Sequence, residues 1–167
     1  MSHDINPPVL SEAHATFIQY RVTMNVAARD ASLITTITRA LGCRVSDDRR
    51  RVTVFLPAER CGTLLDNLRA NGAIAVVAVR PSTHESIQLK GTDAVIGPLQ
   101  EGDDALMTAH LDQFVADLGS IGYSEAFARR VIPDRSGEIV AVAFTPLAVF
   151  QQTPGPDAGR RLESPTS

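Results

Sequence analysis

The stretch that most constrains this chain runs from Gly72 to Leu99, GAIAVVAVRPSTHESIQLKGTDAVIGPL. It opens with a Val-rich apolar run, Ala73 to Val79, far too short to span a membrane. The chain then turns through Arg80-Pro81-Ser82-Thr83-His84 and resumes as an alternating segment. Ser86, Gln88 and Lys90 share one face of that segment, and Ile87 and Leu89 share the other. An apolar strand, a proline-containing connection and a strand with one polar face form the wall of a candidate site. The rest of the chain must build a β architecture around that pair.

The flanking segments are consistent with this. Tyr20, Val22, Met24 and Val26 alternate with Arg21, Thr23 and Asn25, the period of a half-buried strand, and Arg29-Asp30 suits a turn. A second strand over Leu33–Val45 sets Leu33, Thr35, Ile37, Arg39 and Leu41 against Ile34, Thr36, Thr38 and Ala40. Thr36 and Thr38 suit either a plain strand face or a surface that donates hydroxyl hydrogen bonds to a ligand. Ser46-Asp47-Asp48 turns the chain into a third strand, Arg51–Leu56. After Pro57 the spacing becomes helical, with Ala58, Cys61, Leu64, Leu65 and Leu68 on one stripe and Gly72 as the stop.

Beyond Gly97-Pro98, acidic residues open a helix over about 103–118 whose apolar stripe carries Met107, Leu111, Phe114, Val115 and Leu118. His110 lies on that stripe and reads as a packed residue. Ser124 caps a short helix, and a last, almost wholly apolar strand runs from Glu138 to Phe150. Such a strand must be covered on both faces, and Pro146 marks a bulge or edge near its end. The order predicts a mainly β fold with peripheral helices, a closed or split β-barrel of about six antiparallel strands. Residues 16–150 form the domain, between a flexible arm (1–15, with Pro7-Pro8) and a polar tail (151–167) that is disordered or draped over a neighbour.

Composition narrows the function. Charged residues make up 21% of the 167 positions and the net charge is −3, so no electrostatic attraction to nucleic acid is expected. Arg49-Arg50-Arg51 follows Asp47-Asp48 and reads as a solvated turn. Cys43 and Cys61 cannot make a disulfide framework and read as packing residues. His3, His14, His84 and His110 lack metal-ligand spacing, and no phosphate-binding glycine loop, HExxH or GxSxG motif is present. The N-terminus lacks the basic and apolar regions of a secretory signal, and no run reaches membrane-helix length, so a cytoplasmic protein is expected.

Arg80-Pro81-Ser82-Thr83-His84 followed by Gln88-Leu89-Lys90-Gly91, in this order of elements, resembles the pyridoxamine 5′-phosphate oxidase-related flavoproteins over about residues 17–155. The tail segment Gln152-Thr153-Pro154-Gly155-Pro156 resembles the ends of some members. The resemblance implies an FMN-binding split β-barrel that forms a homodimer, with the flavin in a groove at the interface. Carried onto this chain, it implies cofactor contacts at Thr36, Thr38 and Arg39, at Leu56 and Arg60, and at Ser86 and Gln88, while His84 reads equally as a turn residue at the groove rim or as a ligand contact.

The true oxidases carry a Ser-Arg-Lys run where this chain has Ala58-Glu59-Arg60-Cys61-Gly62, and an Arg is usual where Glu85 stands. Pyridoxamine phosphate oxidation itself is therefore not expected. Two readings stay open: a flavin-dependent oxidoreductase acting on a small molecule, or a non-catalytic binding or sensing module on the same barrel.

Overall fold

The computed structural model describes residues 9–163. The first element is a helix, α1 (Glu12–Ile18), started by Ser11, whose Oγ accepts from the His14 N–H at 3.1 Å. The expected arm therefore ends before residue 12, because Ala15, Phe17 and Ile18 find the core and bury there. Residues 1–8 of that arm, Pro7-Pro8 included, and 164–167 of the tail lie outside the described residues.

The chain continues as β1 (Thr23–Arg29), β2 (Thr35–Arg39), β3 (Cys43–Val45) and β4 (Val52–Pro57). A 3-10 turn, Ala58–Arg60, leads into α2 (Gly62–Asn71), followed by β5 (Ile74–Val79), β6 (Ser86–Gly91) and β7 (Val95–Gly97). Two helices, α3 (Asp103–Ser120) and α4 (Glu125–Val131), precede β8 (Ile139–Phe144), β9 (Ala148–Gln151) and β10 (Arg161–Leu162). The strands form two sheets, ordered β10-β9-β6-β5-β1-β2 and β3-β4-β8-β7, and every pairing is antiparallel.

Three of the four strands beyond the six expected have one cause, and the fourth, β10, comes from the tail. Three expected strands are each cut by a bend that carries the chain from one sheet to the other. The bends fall at 40–42 between β2 and β3, at 92–94 between β6 and β7, and at 145–147 between β8 and β9. Pro146 sits in the last of these. The crossing after β6 needs a glycine: a Cβ on Gly91 would lie 2.7 Å from the Phe144 ring and 2.9 Å from the Thr145 carbonyl oxygen. The tail departs from both expectations for it, since Gln151 N donates to Arg160 O at 2.8 Å and β10 adds to β9 of the same chain.

The inner faces of the two sheets enclose the main core, with Met24, Val26, Val76 and Leu89 meeting Val54, Val142 and Phe144. Phe17 and Ile18 of α1 and Leu64, Leu65 and Leu68 of α2 join that cluster. A second core lies on the outer face of the four-stranded sheet, where Leu41, Phe55 and Ala141 meet Met107, Phe114 and Leu118 of α3 and Ala128 of α4. β4 is thus buried along its whole length, as a continuous apolar run requires. Among the described residues, no hydrophobic core lies on the outer face of the six-stranded sheet. That face is the candidate site.

Candidate functional site

Strand register sets one row of side chains across all six strands of the open face. It runs Arg39, Asn25, Val77, Gln88, Phe150, Arg161. The next row is Ile37, Ala27, Ala75, Lys90, Ala148. The centre of the face is apolar and small, while cations stand toward its edges. Lys90 Nζ sits 4.9 Å from the Phe150 ring centroid, a cation–π contact that holds the ammonium against the sheet. From Arg39 to Gln88 the face spans three strand intervals, about 14 Å.

Hollows lie at both ends of this face. One, of about 360 Å³, is lined by Arg39, His84, Thr23 and Val79 and by Tyr123 and Phe127. Those two rings stack with centroids 5.0 Å apart and 20° between planes, and they stay half exposed. The other, of about 480 Å³, is lined by Gln88, Lys90, Thr35, Ala27 and Ala75.

The wall of the first hollow is held from behind. The Arg80–His84 turn puts His84 in the left-handed region (φ 60°) and bonds its N–H to Arg80 O at 2.9 Å. Asp117 of α3, 1% exposed, accepts from Ser82 N at 2.9 Å and from Ser82 Oγ at 2.7 Å. These charge-assisted bonds tie the turn to the helix. Arg80 pairs with Glu85 at 3.1 Å and lies 4.8 Å from the Phe17 ring centroid. Glu85 is thereby paired at the turn, one residue before β6 begins.

Four of the expected cofactor residues lie along the open face or at its end: Arg39 and His84 line the first hollow, Gln88 lines the second, and Ser86 precedes Gln88 on the outward side of β6. Ser86 is buried by the returning tail, with its N–H donating to Thr153 Oγ1 at 3.0 Å and its carbonyl accepting from Gln152 N at 2.9 Å. Gln88 Oε1 accepts from Gln152 Nε2 at 3.4 Å.

The other four lie elsewhere. Thr36 and Thr38 pair with Ala28 and Val26 and share their inward face, and Thr36 Oγ1 accepts from Asn67 of α2 at 3.3 Å. The strand alternation that puts Arg39 outside must put them inside. Leu56 is fully buried in the main core. Arg60 sits at the start of α2, paired with Asp134 at 2.8 Å. Asn25, Tyr123, Phe127 and Asp117 were missed by sequence reasoning. Only Asn25 left a signal, as a polar residue within the alternation of β1.

Arg39 is half-buried, and burial lowers its pKa from the usual arginine value with no compensating anion. It has no ion-pair or hydrogen-bond partner among the described residues. Both cysteines are buried, as expected, and burial pushes the Cys43 thiol up to about 12. His110 is packed, its pKa lowered to about 4 by burial. Among the described residues no group of three or more His, Cys, Asp or Glu could hold a metal ion, and no helix is long and apolar enough to cross a membrane.

No protein-family model matches the chain, and no curated protein matches it in sequence. Solved structures do match in fold. HupZ of Group A Streptococcus is 17% identical with a TM-score of 0.52, over 89% of this chain and 98% of that one. An F420 reductase is 14% identical with a TM-score of 0.52, over 83% and 97%. A candidate pyridoxamine 5′-phosphate oxidase from Lactobacillus delbrueckii is 13% identical with a TM-score of 0.52, over 87% and 97%. Identity this low speaks to fold alone. This chain shares its fold with HupZ, the F420 reductase and the candidate pyridoxamine 5′-phosphate oxidase.

Proposed function

We propose that this protein is a split-barrel flavoprotein that binds FMN on the open face of its six-stranded sheet, at the interface of a homodimer. The observation that carries this reading is Arg39, a half-buried guanidinium without an anionic partner, in one row with Asn25 and Gln88. A dianionic phosphate would supply that partner. Val77, Ala75 and Ala27 offer a flat apolar bed for a ring, and the two carboxamides offer donors and acceptors to its polar edge. Ile37, Leu33 and Ile34 at the edge of the same face are 66–70% exposed, a patch suited to a second copy of the chain.

Bound FMN would supply hydride and electron transfer to a small molecule. The chain's own part is to bind, orient and shield. Tyr123 and Phe127 wall off one end of the groove, while the Asp117–Ser82 bonds hold His84 at its mouth.

The alternative, a non-catalytic module, is favoured by one observation at the start of α2. There Arg60 is taken up by Asp134, and Gly137 presses so close to Glu59 that an added Cβ would lie 2.8 Å from its carboxyl carbon. The one cation at the start of α2, Arg60, is thus already paired. An absorption spectrum of fresh protein after gel filtration separates the readings. A flavin spectrum with FMN released on denaturation is expected, with Arg39→Gln weakening FMN binding about tenfold (~1.4 kcal/mol). Colourless protein that FMN does not stabilise in a thermal-shift panel would sink the flavin reading. A shift in that panel with FAD, the deazaflavin F420 or haem in place of FMN would redirect it.

A further inference from the structure

We propose that the outer face of the four-stranded sheet holds a second ligand site, for a small organic anion, beside the start of α3. Register sets Arg44, Thr53, Ala143 and Val95 in one row across the four strands. Ala143, and Ala141 with Gly97 one row on, are too small to fill the face where the helix layer stops. The result is a cavity of about 340 Å³, in the size range of small-molecule pockets.

Two guanidinium groups, Arg44 and Arg51, line the cavity, and no carboxylate does. Arg44 is pre-set. Its Nε lies 3.0 Å from Asp103 Oδ1, and its Nη1 donates to Gln100 Oε1 at 2.6 Å. Asp103 is itself fully buried, and its Oδ2 accepts from Gln100 N at 2.7 Å. The fork is therefore held rigid, with Nη2 uncommitted among the described residues. A rigid fork with a free arm is what recognition of a carboxylate or phosphate needs, since little entropy is left to lose on binding.

Arg51 is tethered only loosely, 3.8 Å from Asp93 Oδ2, and its half-exposed side chain can turn toward the same anion. Thr53 adds a hydroxyl to the lining. It is 7% exposed and lines the cavity, yet its hydroxyl has no hydrogen-bond partner among the described residues. The hydroxyl opens onto the cavity rather than being sealed from solvent, so it is available to bond an anion held there. The ligand this chemistry fits is a carboxylate or phosphate on a short apolar body that lies against Ala141 and Ala143. No residue of the open face is involved, so the site is independent of the flavin.

The test titrates the purified protein, as isolated, with inorganic phosphate and separately with propionate at constant ionic strength. Backbone amide NMR shifts provide the readout. Saturating shifts confined to Arg44, Thr53, Gly97 and Ala143 are expected with at least one anion. Saturation by phosphate alone assigns phosphorylated ligands, and by propionate alone, carboxylates. Arg51→Gln and Thr53→Val should each weaken binding about tenfold, and Ala143→Leu should abolish it by filling the cavity. Arg44 is left intact, because removing it would strand the buried Asp103 charge. The proposal is overturned if neither anion saturates at those amides, or if Arg51→Gln and Thr53→Val leave the titration unchanged. Those two variants decide the matter even if Ala143→Leu does not fold.

Discussion

The two sheets of this protein turn very different outer faces to their surroundings. The four-stranded sheet sets Leu41, Phe55 and Ala141 beneath α3 and α4, and Phe55 is fully buried. The six-stranded sheet sets Ile37, Ala27, Ala75 and Val77 on a face with no core, and Ile37 is 70% exposed. Both faces carry apolar residues at strand spacing. What differs is the covering layer. An apolar face that a protein covers with its own helices contributes to folding, whereas one left open, with cations toward its edges, is available for association. The comparison also explains why a half-buried, unpaired arginine persists on the open face: Arg39 contributes nothing to a core and is free to meet an anion.

Four measurements break or sharpen this contrast. The largest effect is expected for Phe55→Ala, which leaves a cavity under α3 and should cost about 3–5 kcal/mol in denaturant unfolding. A cost below about 1 kcal/mol would mean that the helical layer is not a true second core.

Next comes acid. His110, 6% exposed on the inner side of α3, has its pKa lowered from 6.5 to about 4 by burial. Its imidazole stays neutral in the folded state while the unfolded chain takes up a proton. This group leaves stability untouched above about pH 6.5 and removes it as pH falls from there toward 4, by about 3 kcal/mol in all. Denaturation midpoints measured across that window should drop, and His110→Met should flatten the drop. An unchanged slope in the variant would assign the acid lability to other groups.

Asp117→Ala should cost about 2 kcal/mol, because Ser82 loses two charge-assisted bonds. Hydrogen exchange of the Arg80–His84 amides should speed up well beyond that of β5. Equal acceleration throughout would show that the turn is not a separately held unit.

The smallest folding effect is expected for Ile37→Ala, within about 0.5 kcal/mol for dilute protein. The same change should weaken self-association about tenfold, as read by sedimentation at several concentrations. Loss of folding stability without a change in assembly would contradict the contrast between the two faces.

Much of the fold was legible because alternation and helical spacing are local. The face assignments of β6, with Ile87 and Leu89 inside and Gln88 and Lys90 outside, follow from a period of two residues and hold throughout. The helix stripes, the Gly72 stop, the Ser124 cap and the packed His110 were legible in the same way. The strand breaks were less so. Pro146 marked one, and at Ala40-Leu41-Gly42 the glycine (φ 144°) is the one local sign of a bend in a run that otherwise alternates.

The candidate site was half legible for a related reason. Arg39 lies on the face opposite Thr36 and Thr38, so only one set could reach the groove, and the alternation by itself does not say which. Residues from distant elements settled that. The main core took the threonine side, and α3 with α4 brought Tyr123 and Phe127 to the arginine side.

The Gly72–Leu99 stretch thus determined its own two strands, their turn and their polar face. Tertiary structure decided that this face would stay open, that Glu85 would be spent on Arg80, and that Asp117, far along the chain, would fix the turn. The physical reason is that backbone geometry orients a side chain within a strand, whereas what covers that side chain depends on burial and charge pairing between segments remote in sequence.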